Sequence, residues 1–166
     1  IQRALVAVKM LLRFAHLTGE TAEDFTKLIE SPKPWQKLPT IAGKDKILAL
    51  LESRQPEDKY YLRDKALLEV LYATGARASE AANMKLNDFN FKVGYLRCLG
   101  KGSKERIIPL GRKAVEITCQ YIQDNDTGRP ALEKPSSPAN LFLTRTGKPL
   151  DRTGIWRIVK KYAARA

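Results

Sequence analysis

Three prolines fall within eight residues, at Pro32, Pro34 and Pro39. Proline has no amide donor and its ring fixes φ, so no regular helix or interior strand runs through Ser31 to Pro39. The chain is therefore divided there. Residues 1–30 are too few to bury much of a core, whereas residues 40–166 are enough for one ordinary domain. The stretch at 31–39, with Lys33 and Lys37, reads as an extended basic linker in which Trp35 can pin the chain to one module.

The charge is strongly positive, +12 over 166 residues, and it is clustered. Residues 145–166 carry Arg145, Lys148, Arg152, Arg157, Lys160, Lys161 and Arg165 against Asp151, and residues 100–113 carry Lys101, Lys104, Arg106, Arg112 and Lys113 against Glu105. Clustered cations favour a polyanion, first nucleic acid and second an anionic membrane surface; a solvated basic face is the plain alternative. No apolar run approaches the ~20 residues needed to span a bilayer, and the start has no signal-peptide pattern. Ile1 is not an initiator, so the chain reads as a piece of something longer. Cys98 and Cys119 read as reduced, packed thiols of a cytosolic protein. With His16 as the only histidine, neither a zinc site nor a Ser-His-Asp constellation can be built, and no metal or cofactor is expected. The glycines from Gly94 to Gly102 do not make a phosphate-binding loop, since their spacing is wrong and Gly102 follows Lys101 where Ser or Thr is needed.

The periodicity predicts a mainly α protein with a small antiparallel sheet, an α+β fold. An amphipathic helix covers 2–16, and Gly19 stops it. A second short helix is expected after a Thr21 cap, burying Phe25, Leu28 and Ile29. Helices are predicted over 42–53, with Ile47, Leu48, Leu50 and Leu51 inward, and over 59–74, ended by Gly75. A short helix at 78–84 leads to strands at 90–91, 95–99 and 106–110, the last two joined by a turn at Gly100–Glu105. A helix at 112–123 precedes a loop at 124–139, the apolar run Leu141–Leu143, a turn at 145–149, and a helix capped by Asp151 that runs to the end.

Two residues in this order have chemistry that suits phosphate. The Arg77 guanidinium is permanently charged and offers a planar fork to two non-bridging oxygens, so it can stabilise a phosphorane-like transition state without exchanging protons. Lys101 is a point charge that can give up a proton to a leaving 5′ oxygen, and its flanking glycines let a hairpin tip approach a ligand closely. Taken singly, Arg77 also reads as an ion-paired surface arginine and Lys101 as a solvated tip.

The run Tyr72-Ala73-Thr74-Gly75-Ala76-Arg77-Ala78-Ser79-Glu80, then Asp88, then Gly100-Lys101-Gly102-Ser103-Lys104-Glu105-Arg106 with Ile107-Ile108-Pro109-Leu110, resembles the first half of a tyrosine recombinase catalytic domain of the Xer and phage-integrase type. Ala76 stands where that family has Leu. Leu62-Arg63-Asp64-Lys65-Ala66, Leu141-Phe142-Leu143-Thr144, Gly147-Lys148-Pro149-Leu150 and Trp156-Arg157 extend the likeness. The resemblance implies that Arg77 is the first catalytic arginine, Lys101 the catalytic hairpin lysine and Glu80 the supporting acid. It implies phosphodiester exchange through a 3′-phosphotyrosine, without metal or energy cofactor, on double-stranded DNA in the cytoplasm at the nucleoid, by protomers assembled as homo- or hetero-oligomers. Residues 1–30 then correspond to the end of a helical core-binding domain, 31–39 to the linker and 40–166 to the first part of the catalytic domain. The expected DNA contacts are Lys104, Arg106, Arg145, Lys148, Arg152, Arg157 and Lys160, with Arg152 near the start of a helix that the family lays in the major groove. The His-x-x-Arg box and nucleophilic Tyr of the family are expected after residue 166. Tyr72 reads as packing, and the 166 residues are expected to bind DNA without cutting it. A non-catalytic DNA-binding protein on the same scaffold is the rival reading.

Overall fold

The computed structural model describes residues 2–30, 41–100 and 105–166, in two compact units, Ile1–Ile41 and Ala42–Ala166. The proposed linker and the side chains of Lys101 and Lys104 lie outside the described residues.

In the first unit, α1 (Gln2–Leu17) follows the helical spacing of its apolar residues. Val6, Met10, Leu11, Phe14 and Leu17 on it are exposed. The expected second helix is shorter than its sequence pattern implies. Asp24, not Thr21, caps a single 3-10 turn at Phe25–Lys27 by accepting from the Thr26 amide. Phe25 and Leu28 are exposed rather than buried, because one such turn has no face long enough to cover them.

The second unit holds the core. Its helices are α2 (Lys44–Glu52), α3 (Tyr61–Thr74), α4 (Ala78–Asn83), α5 (Arg112–Gln123), α6 (Arg129–Leu132) and α7 (Arg152–Ala163). The strands β1 (Phe89–Asn90), β2 (Tyr95–Leu99) and β3 (Glu105–Pro109) form one antiparallel sheet in the order β1-β2-β3. Phe89 pairs with Leu96, and Cys98 pairs with Arg106.

α3 is the central element. Leu62, Ala66, Leu67, Leu68 and Val70 are all buried, so nearly every side of the helix is covered, and α5 packs along it. That explains why its apolar residues do not gather in one stripe, since a helix covered nearly all round has no single solvent-facing side. Its polar residues are buried only because they are paired. Arg63 donates from Nε and Nη2 to Asp64 Oδ1 at 2.9 and 2.7 Å.

Four expectations need correction here. Leu48 is 37 % exposed, because α2 turns only its Leu51 edge fully inward. Tyr72 is exposed rather than packed, on the outer side of the last turn of α3. The C-terminal helix ends at Ala163, short of the terminus, with Ile155, Ile158 and Tyr162 buried. The stretch expected to be a loop contains α6: Pro130 lies in the first turn of a helix, where its missing amide costs nothing. Arg129 beside it is buried, and donates from Nε to the Asn140 carbonyl and from Nη2 to the Pro138 carbonyl. This side chain fixes the approach to Leu141, Phe142 and Leu143, which are almost completely buried.

Candidate active site

The site is built at the junction of α3, α4 and the β2–β3 hairpin. Gly75 ends α3 in the left-handed conformation, φ +59°, while its amide still donates to the Leu71 carbonyl. The chain reverses there, and Arg77 becomes the extended residue just before α4. Ala81 is buried and α4 packs on α7, so the short helix is held by its neighbours rather than by its own length.

Glu80 is the hub. Its carboxylate accepts from the Arg77 backbone amide at 2.9 Å and from Arg77 Nη1 at 3.0 Å. Arg106 Nη2 on β3 donates to Oε2 of the same carboxylate at 3.0 Å. The side chain of Glu80 is 8 % exposed and that of Arg77 is 70 % exposed. A buried carboxylate therefore grips one edge of an arginine whose remaining donors face solvent. The bond from the Arg77 amide, then those from the Arg77 and Arg106 guanidinium groups, hold Glu80 below the usual carboxylate range against its burial. Below Arg106, burial pushes the Cys98 thiol up, Glu80 adds to that, and a hydrogen bond from Arg106 opposes it.

Arg77 and Glu80 open onto a cleft of about 740 Å³. Lys85 and Arg97 add cationic groups to its lining, and Asp88 and Glu105 add acidic ones. Arg97 Nη2 lies 3.6 Å from Asp88 Oδ1. Neither Lys85 nor Arg97 was picked out from the sequence, because each stands alone between apolar residues and outside the two charge clusters. Asn140 was missed too: its side chain donates to the Ala82 carbonyl and steadies the end of α4.

The other expected contacts are placed differently. Arg106 joins the cluster beneath the cleft. Arg145, Lys148, Arg152, Arg157 and Lys160 are exposed, and none lines the cleft. Arg152, Trp156 and Lys160 follow one another at helical spacing along α7, with Lys160 Nζ 4.9 Å from the Trp156 ring centre. Other cations of the two charge clusters are engaged within the protein. Lys113 pairs with the buried Glu69 at 3.2 Å, and Lys161 and Arg165 both pair with Asp58, at 3.1 and 2.7 Å.

Residues 43–166 match the model of the phage integrase family. The chain belongs to that family. Among curated proteins, this family member is 40 % identical over 166 residues to tyrosine recombinase XerD of Staphylococcus epidermidis, covering all of this chain and 55 % of the relative. It is 40 % identical over 163 residues to tyrosine recombinase XerD of Halalkalibacterium halodurans, covering 98 % of this chain and 54 % of the relative. The chain thus spans about half the length of the curated relatives it matches. Among solved structures, XerA recombinase aligns with a TM-score of 0.65 at 19 % identity, over 97 % of this chain and 53 % of that one. A lambda integrase dimer bound to a COC′ core site aligns with a TM-score of 0.73 at 16 % identity, over 99 % of this chain and 44 % of that one. These two show that the integrase family member has the integrase fold, mainly helical with a small antiparallel sheet.

Proposed function

We propose that this chain is part of a site-specific DNA recombinase that breaks and rejoins strands through a 3′-phosphotyrosine. The observation that carries the reading is the exposed Arg77 guanidinium held from one edge by the buried Glu80. An arginine fixed in this way meets a phosphate with its fork already oriented, so little side-chain freedom is lost on binding. Arg77 holds the non-bridging oxygens of the scissile phosphate. Lys101 delivers its proton to the 5′ oxygen as the bond from phosphorus to that oxygen breaks. No metal takes part. Residues 1–30 belong to a core-binding domain, 31–39 to the linker and 40–166 to the catalytic domain. Lys104, Arg145, Lys148, Arg152, Arg157 and Lys160 contact the duplex, and protomers assemble on it in the cytoplasm.

No tyrosine among the described residues is assigned the nucleophile. Tyr121 and Tyr162 are fully buried, and the Tyr162 hydroxyl is engaged by Asp64. In this reading the 166 residues bind duplex DNA without nicking it. Binding of a labelled mixed-sequence duplex at several salt concentrations tests this. The wild-type chain should bind in a strongly salt-dependent manner, and Arg77→Ala should weaken binding and reduce the salt slope by about one. Salt-independent binding, or none, would overturn the reading.

A further inference from the structure

We propose that Arg106 is a positioning residue: from β3 it holds Glu80, and through Glu80 it sets the direction of the Arg77 guanidinium. The contact runs from hairpin to helix. Glu80 has two carboxylate oxygens. Arg77 Nη1 takes Oε1 at 3.0 Å, and the Arg77 amide and Arg106 Nη2 share Oε2 at 2.9 and 3.0 Å. The Arg77 amide ties Oε2 to the start of α4, and both contacts from Arg77 lie within that one local stretch of chain. The bond from Arg106 comes from a separate element 26 residues away and holds the carboxylate from a second direction.

The hairpin's alternation separates this role from a DNA contact. Successive residues of a strand point to opposite faces. Arg97, Leu99 and Glu105 line the cleft, and Leu99 stands opposite Glu105 across the hairpin. Arg106 stands opposite Cys98, which is 1 % exposed, and the two share the face that carries the buried Leu96. Arg106 therefore reaches Glu80 from the face opposite that of Arg97, Leu99 and Glu105, and although its side chain is 48 % exposed it does not line the cleft. Arg106 is the second residue of β3, so one salt bridge registers the hairpin against the helix that follows Arg77.

This inference rests on Arg77 being the phosphate ligand, and the test keeps the two apart. Arg106→Gln, Glu80→Gln and the double variant are compared in the free chain by the ¹⁵N relaxation of the Arg77 side-chain Nε, and then by affinity for a labelled mixed-sequence duplex. Each single variant should loosen the Arg77 side chain, and the double should loosen it no further. Affinity should fall about fivefold in each single variant and by no more in the double, as expected when two groups act through one ion pair. Arg106→Lys should recover part of the loss. Unchanged Arg77 relaxation in Arg106→Gln, or affinity losses that multiply in the double variant, would overturn the proposal in favour of a direct phosphate contact. If Arg106→Gln does not fold, Arg106→Met, which keeps the aliphatic stem, takes its place in the same comparison. A wild-type chain that fails to bind duplex would remove the DNA reading and leave the relaxation comparison to decide the role of Arg106.

Discussion

The Tyr162 hydroxyl donates to Asp64 Oδ2 at 3.0 Å, joining α7 to the first turn of α3 inside the core. Arg63 occupies the other carboxylate oxygen. Tyr162→Phe keeps the ring and removes one donor from a buried charge. It should cost about 1–3 kcal/mol, measured as a shift in the urea midpoint. Burial, with the Asp64 carboxylate beside it, raises the Tyr162 phenol far above its ordinary value. Its ionisation should therefore appear in an ultraviolet titration only when the fold is lost.

Asp58 receives Arg165 Nη1 at 2.7 Å, Lys161 Nζ at 3.1 Å and the Gln55 amide at 3.2 Å. These bonds, that of Arg165 foremost, hold its carboxyl well below the usual range. A carboxylate depressed in the folded state contributes stability above its unfolded value, near pH 4, and loses it as pH falls through the folded one. Asp58→Asn should lower the thermal midpoint at pH 7. The gap between wild type and variant should close progressively below about pH 4.

Gly147 has φ +76°, and a Cβ there would lie 2.4 Å from Ser137 Oγ and 2.7 Å from Lys134 Cγ. Gly75 has φ +59° with open space around it. Gly75→Ala should cost only the left-handed strain, about 1 kcal/mol, and Gly147→Ala should cost clearly more. Equal losses in thermal stability would contradict the steric account.

Arg129 holds the Pro138 and Asn140 carbonyls and pairs with Glu133 at 3.0 Å, and it is 3 % exposed. Arg129→Met should cost about 1–3 kcal/mol by leaving the half-buried Pro138 and Asn140 carbonyls unpaired. Arg129→Lys should not restore the loss, since one ammonium cannot reproduce two diverging bonds from a planar fork. Denaturant unfolding of the two variants distinguishes these outcomes.

What could be read beforehand was local. The helices α1, α3, α5 and α7 follow from apolar spacing, and the hairpins from their turn residues. Arg77 and Glu80 are three residues apart, so their pairing lies within reach of a sequence argument. The partners of Asp58 are not: 103 residues separate it from Lys161, and no local pattern records that contact. Arg106 reads in the sequence as one more cation of a basic hairpin, and its place opposite Cys98 follows only from the strand register. α6 was hidden because proline breaks helices everywhere except in the first turn. Phe25, Leu28 and Leu48 were placed inward on hydrophobicity alone, which does not say whether anything lies opposite.

α4 spans only Ala78 to Asn83, and Ala81 within it is 1 % exposed. Any larger side chain at Ala81 must push the helix away from its support, and Arg77 and Glu80 move with it. A random screen for loss of function would then collect substitutions at an inert alanine alongside those at the charged residues. Hits in that screen map the rigidity of the platform as much as the chemistry it carries.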